Sequence, residues 1–440
     1  MKGFTWIALG SLLIAGSAFA NPVNIAVIDS GVDYQHRDLA PYMWHDSAPD
    51  AQYPDDINGW NFADNNNQVI DYSYLGTFSP DVTKYFQIQG KSLLGAATAD
   101  EIAWMQAQRN NADFIAQLET FGNFVHGTHV TGIATKDNID ARAIPIKMIP
   151  TKAPTMSVPA TLENRGAISD YLLGLLLQYS ASQNLSLVQK TAVYANAKGA
   201  RIANCSFGAS VAAVSPQVKK ILETFHGGQE PSAADVTKWS KYLVDQLIAG
   251  SSKFTEAAPN TLFVIAAGND GANNDVDPAW PANAKAANTI SVAATLGVQS
   301  LATFSNYGAT MVDVAAPGVA IKSTIPGNEY LELSGTSMAA PFVTDVAGII
   351  AAKNAALTPA DIRTMLMSTV DRKAWLQGKV VSSGIVNKDR AARAAELSLT
   401  MSLPDAIAQA NTEVADVEPT SFVALNDTFI TPVALPNPLR

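Results

Sequence analysis

The chain has 440 residues, 48% of them hydrophobic and 15% charged, with 29 Lys and Arg against 39 Asp and Glu for a formal net charge of −10. Such a composition can bury a core, which excludes a disordered chain of low hydrophobicity and high net charge. The acidic balance, with no run of Lys or Arg, lacks the attraction that dominates phosphate-backbone binding, so no nucleic-acid partner is expected and an acidic membrane surface is disfavoured.

The chain opens with Lys2, an apolar stretch from Phe4 to Ala15 and the small-x-small triplet Ala18-Phe19-Ala20. This reads as a signal peptide over residues 1–20, cleaved after Ala20; the apolar stretch is shorter than the roughly 20 residues a spanning helix needs. Export to the periplasm or the medium is expected, with no stable membrane insertion afterwards. Short apolar runs follow at Val23–Ile28, Ala143–Ile149, Arg201–Ser206, Leu262–Ala267 and Thr289–Ala294. None alternates with period two, as expected of parallel strands covered on both faces. Helical patterns lie between and after them, at Leu187–Lys198, Ala233–Ala249, Ser337–Asn354 and Pro359–Val370. The last has Thr358 as N-cap and Pro359 at the first helical position. The alternation predicts an α/β protein with a doubly wound, mostly parallel sheet and helices on both faces. Tyr171–Leu177 is too short to span a membrane and reads as a buried helix. From about Glu396 the patterning fades while prolines accumulate, so residues 397–440 read as a C-terminal tail. Cys205 is the single cysteine, which rules out an intramolecular disulfide; its apolar setting makes it a small buried hydrophobe rather than a nucleophile.

In an open parallel sheet, functional groups gather beyond the carboxyl ends of the strands. Three runs end in Asp29-Ser30-Gly31, in Phe207-Gly208 and in Gly268-Asn269-Asp270, and two further segments join them: His126-Gly127-Thr128-His129, opening a helix, and Gly335–Pro341. A serine hydroxyl needs a base to take its proton, and the base needs an acceptor that fixes its tautomer. Ser337, His126 and Asp29 fit those roles, with the Asn269 amide and the Ser337 backbone N–H as oxyanion donors. The chain order Asp29, His126, Ser337 excludes the α/β-hydrolase order, in which the serine comes first.

These blocks resemble the subtilisin-like serine peptidases, the subtilase superfamily or peptidase family S8. The resemblance rests on Ile25–Asp33 followed by His36, Asp38 and Leu39, on His126–Gly132, on Ala266–Asn269 and on Gly335–Pro341. It implies a serine endopeptidase acting on protein or peptide substrates, with catalytic Asp29, His126, Ser337 and Asn269 and an acyl-enzyme on Ser337. It further implies that Ser206-Phe207-Gly208 pairs with the substrate backbone and that Ala266-Ala267-Gly268 walls the pocket for the residue before the scissile bond. Small wall residues imply a broad pocket that favours apolar side chains.

Departures from the family pattern qualify this reading. The long stretch between Asp29 and His126 implies an insertion at about 72–123, and two more are expected at about 150–186 and 209–260, decorating the cleft rim of a peptidase domain over 21–396. Only Asn21 and Pro22 precede the first strand, leaving no room for the inhibitory pro-domain of many exported relatives. Asp345 follows Ser337 on an apolar helix and reads as a satisfied structural carboxylate. No cofactor is needed for the chemistry. Structural calcium is open: Asp38, Asp64, Asn66, Asp71, Asp275 and Asp277 supply hard oxygen donors, but the same residue types dominate ordinary turns, and no metal site is assigned. His129 reads as structural. A monomer is expected, and the alternative function is a latent or non-catalytic binding module on the same fold.

Overall fold

The computed structural model describes residues 22–47, 51–136, 138–152 and 170–417. At its centre is a 10-stranded sheet. Parallel strands run in the spatial order Gly384–Ile385, Val314–Pro317, Thr289–Leu296, Leu262–Ala266, Ile202–Cys205, Val23–Asp29, Ala141–Lys147 and Trp60–Asn61. Antiparallel additions are Asp371–Arg372 at the edge and Ser300–Leu301 beside Thr289–Leu296. The doubly wound α/β architecture is therefore as expected. The order reverses at Val23–Asp29, which has Ala141–Lys147 on one side and Ile202–Cys205 on the other.

Both faces of the sheet are covered, and successive side chains enter different cores. Phe263 and Ile265 join the cluster under helices Asp170–Ala197, Val211–Phe225, Ala233–Ala249 and Ser252–Ala257, while Leu262, Val264 and Ala266 join the one under Thr336–Lys353. This two-sided burial is why the strands read as unbroken apolar runs.

Four expectations need correction. The segment His126–His129 does not open a helix: it lies inside Ala112–Ala134, which starts at Asn111, whose side chain accepts from the Phe114 amide, and continues through buried Phe114, Leu118, Phe121 and Phe124. The stretch 72–123 does not decorate the cleft. It forms helices Pro80–Leu93 and Ala99–Gln108 and the first half of the histidine helix, and its aromatic residues share a core with Leu331, Leu333 and Met338. Helix Asp170–Ala197 contains Tyr171–Leu177 but buries only one stripe of it: Leu173 and Leu177 are inside, whereas Tyr171, Leu172 and Leu175 are exposed.

The chain beyond Glu396 is not wholly a tail. A second helix, Leu403–Glu413, is capped by Ser402, and Pro404 sits in the first turn, where a missing amide costs nothing. Its Ala406 and Ala410 pack in one core cluster with Ala394 and Ala395 of helix Lys388–Leu397. Buried Arg390 then holds the following residues, donating to the Val414 carbonyl and pairing with Asp371 and Asp416. The expected signal peptide, most of the 150–186 segment before Asp170 and residues 418–440 lie outside the described residues.

Removing one partner of a buried charge network strands the other charge. Arg390→Ala should lower unfolding free energy by about 3 kcal/mol or more, read from urea denaturation.

Candidate active site

Asp29 ends the strand at which the sheet order reverses and is fully buried. Its Oδ1 accepts the Ser30 amide at 2.7 Å and lies 2.7 Å from His126 Nδ1. With Nδ1–H donating to the carboxylate, the Nε2 lone pair of His126 is left to act as a base. The approach requires a bare backbone. A Cβ on Gly127 would sit 2.2 Å from the Gly31 carbonyl oxygen, so only glycine lets the histidine helix meet the turn after Asp29. The neighbouring turn of the helix is held by hairpin Ile321–Ile325/Glu329–Leu333: Ser323 and Thr324 hydroxyls donate to the His129 and Thr128 carbonyls. His129 donates Nε2–H to the Leu331 carbonyl, and burial pushes its pKa down to about 3. It stays neutral at ordinary pH and faces the hairpin, as expected of a structural histidine.

Ser337 stands in the first turn of helix Thr336–Lys353, where backbone amides lack helical partners. Its hydroxyl donates to the Ser206 carbonyl at 3.2 Å. A buried relay backs this contact: the Thr344 hydroxyl donates to Asn204 Oδ1, Asn204 Nδ2 donates to Ser206 Oγ, and Ser206 Oγ donates to the Ser337 carbonyl, each at 2.9 Å. Asn269 is oriented by the residue before the serine, since its Oδ1 accepts both the Thr336 amide at 2.8 Å and the Thr336 hydroxyl at 3.0 Å. That leaves Nδ2 as the donating end of the amide. Gly268, at φ +114°, makes the turn that presents it.

One cleft gathers His126, Ser337, Asn269, Ser206-Phe207-Gly208 and Ala266-Ala267-Gly268 among its lining residues, with Asp29 behind His126. Every site residue expected from the sequence is thus brought to one place. The space between the walls is about 80 Å³, narrower than small side chains alone implied. The reason is a short antiparallel ladder, Ala209–Ser210 against Ala279–Trp280, that draws the two walls together. No residue of the 72–123 stretch lines the cleft, whereas Ala209, Ser210 and Ala213 from the 209–260 stretch do.

Residues that the sequence reading passed over are Thr336, Asn204, Thr344 and Lys147. Each is a polar side chain inside an apolar strand or helix, and that mismatch was the available signal. The possible calcium donors are dispersed into local bonds: Asp38 accepts from Tyr330, Asp64 from Asn61, Asp71 from Ser73 and Asp275 from Thr310. Among the described residues no cluster of three or more His, Cys, Asp or Glu could hold a metal ion. Cys205 is buried beside the site, and burial raises its thiol pKa. No helix of the described residues is long and apolar enough to cross a membrane.

A sequence model described as the subtilase family matches residues 20–390. Over 339 residues the chain is 28% identical to a thermophilic serine proteinase of Bacillus sp. strain AK1, covering 70% of this chain and 69% of that protein. It is 41% identical over 150 residues to alkaline elastase YaB of Bacillus sp. strain YaB, covering 33% of this chain and 38% of the relative. It is 37% identical over 186 residues to M-protease of Shouchella clausii strain KSM-K16, covering 40% and 47%. The chain thus spans between 38% and 69% of the length of these relatives.

Two measurements check the geometry. Gly127→Ala should destabilise the protein by about 1–3 kcal/mol, the usual cost of overpacking, seen as a lowered denaturation midpoint. The Cys205 thiol should resist a thiol-reactive reagent in the native protein and react stoichiometrically once urea unfolds it.

Proposed function

Because the chain belongs to the subtilase family, we propose that it is an exported serine endopeptidase that hydrolyses peptide bonds through an acyl-enzyme on Ser337. The observation that carries this reading is the convergence of Asp29, His126, Ser337 and Asn269 on one cleft, with His126 Nδ1 engaged by Asp29. In the proposed reaction His126 Nε2 takes the Ser337 proton as Oγ attacks the substrate carbonyl. The oxyanion is received by Asn269 Nδ2 and the Ser337 amide, and His126 returns the proton to the leaving amine. Water then releases the acyl group by the same proton path. A substrate laid along Ser206-Phe207-Gly208 offers its own N–H to the Ser206 carbonyl, which frees the serine hydroxyl to turn to His126. The narrow cleft lined by Ala213, Ala266, Ala267 and Ala279 supports a preference for small apolar side chains before the scissile bond. The signal-peptide pattern in residues 1–20 supports export.

The latent or non-catalytic reading draws on one observation, that the Ser337 hydroxyl is bonded to Ser206 in this structure. Intact mass after treatment with a serine-directed fluorophosphonate separates the two. A single adduct on the wild type and none on Ser337→Ala is expected; no adduct on folded wild type would overturn the enzymatic reading. If turnover is found, Asn269→Ala should lower kcat by about 10²–10³-fold, the range that loss of one such donor costs in related peptidases, with little change in KM.

A further inference from the structure

Lys147 is a buried cation in a place where an apolar side chain would fit the pattern. It ends the strand Ala141–Lys147, is 3% exposed and lies in register with Asp29 on the adjacent parallel strand. Its ammonium donates to the Ser30 carbonyl at 2.6 Å and to Thr151 Oγ1 at 3.0 Å. Among the described residues no carboxylate lies within ion-pair distance of it. An ammonium stripped of water and not directly paired is costly. Asp29 presents the complementary imbalance: both of its donors fall on Oδ1, and Oδ2 is buried with no hydrogen-bond partner.

We propose that Lys147 is a positioning residue, a built-in counter-charge to Asp29 that keeps His126 neutral and ready as a base to lower pH than the Asp29–His126 pair alone would allow. The proposal rests on the catalytic reading of that pair. Two effects act together. The bond to the Ser30 carbonyl fixes the backbone directly after Asp29, and that same residue supplies the Ser30 amide to Oδ1 and, through Ser30 Oγ, accepts the Gly127 amide of the histidine helix at 3.1 Å. The positive potential opposes formation of a second cation on His126. The charged groups that face Lys147 are Asp29 on the neighbouring strand, Asp64 in the turn after Trp60–Asn61 and Asp71 before the turn Tyr72–Tyr74. Asp64 and Asp71 are exposed, which leaves Asp29 as the buried partner. The remaining neighbour of His126, His129, is neutral. Burial brings the Lys147 pKa down to about 8, so the ammonium is charged through the acid range in which His126 must lose its proton.

The sign follows directly. Removing a cation near the pair favours the imidazolium, so the proton is held to higher pH and the acid limb of activity moves up. In Lys147→Met the acid-limb midpoint of kcat/KM, and the His126 imidazole titration followed by NMR, should both rise by about half to one pH unit. Lys147→Arg should restore the wild-type midpoint. Lys147→Gln serves if the methionine variant does not fold. A folded Met or Gln variant with an unchanged midpoint and only a lowered melting temperature would overturn the proposal, because a structural lysine alters stability alone. The NMR titration does not depend on turnover. If the protein proves inactive, fluorophosphonate labelling decides against the catalytic reading, while the imidazole midpoint still decides the role of Lys147.

Discussion

The contact on which the site depends is the one at Gly127, where the histidine helix touches the backbone of the turn after Asp29. A side chain there would collide with the Gly31 carbonyl, and a helix pushed outward would carry His126 away from the Asp29 carboxylate. The 2.7 Å bond between them exists because two chain segments approach with no Cβ between them. The rest of the histidine helix is arranged to hold that approach. The hairpin Ile321–Leu333 grips the helix through hydroxyls and through His129, and Asn111 and the aromatic residues after it extend the helix by more than three turns on the other side. A histidine in mid-helix loses the field of a helix N-terminus, so its surroundings must be set by side chains.

Electrostatics at the site are accordingly local and buried. Asp29 receives two donors on one oxygen, His129 is kept uncharged by burial, and Lys147 places a cation one strand away. On the serine side, the relay from Thr344 through Asn204 and Ser206 satisfies polar groups in the middle of the sheet and ties the second turn of the serine helix to its first. A buried polar network of this kind is stabilising only when each member is paired, and it then permits one arrangement. The two sides meet at the reversal of strand order, so the site draws on both halves of the sheet without any segment crossing it.

The long stretches between motifs serve different ends. Residues 72–123 thicken the support behind the histidine helix, while the 209–260 stretch reaches the cleft itself, where Ala209–Ser210 pairs with Ala279–Trp280 and narrows it. Beyond Glu396 the chain closes the far side of the sheet, clamped by Arg390. Length alone did not distinguish these cases; what each stretch packs against did.

Much of the architecture was legible in the sequence because strands buried on both faces must be apolar throughout, and five such runs mark the centre of the sheet to within a residue or two. The polar punctuation at their ends identified Asp29, Ser206–Gly208 and Asn269, and His126 and Ser337 followed from the chemistry a serine nucleophile needs. Short edge strands such as Trp60–Asn61 carry no periodic signal, and helix Leu403–Glu413 was hidden because its buried face is two alanines and its proline stands where a helix tolerates one. The sequence by itself therefore determined which residues carry the chemistry and the fold class that brings them together, since both follow from local residue type and pattern. Only the tertiary structure decided that His126 sits within a long helix, that the cleft is narrow and that Lys147 lies beside Asp29. Those facts depend on contacts between segments far apart in the chain, whose approach is set by backbone clearance and register rather than by any local pattern.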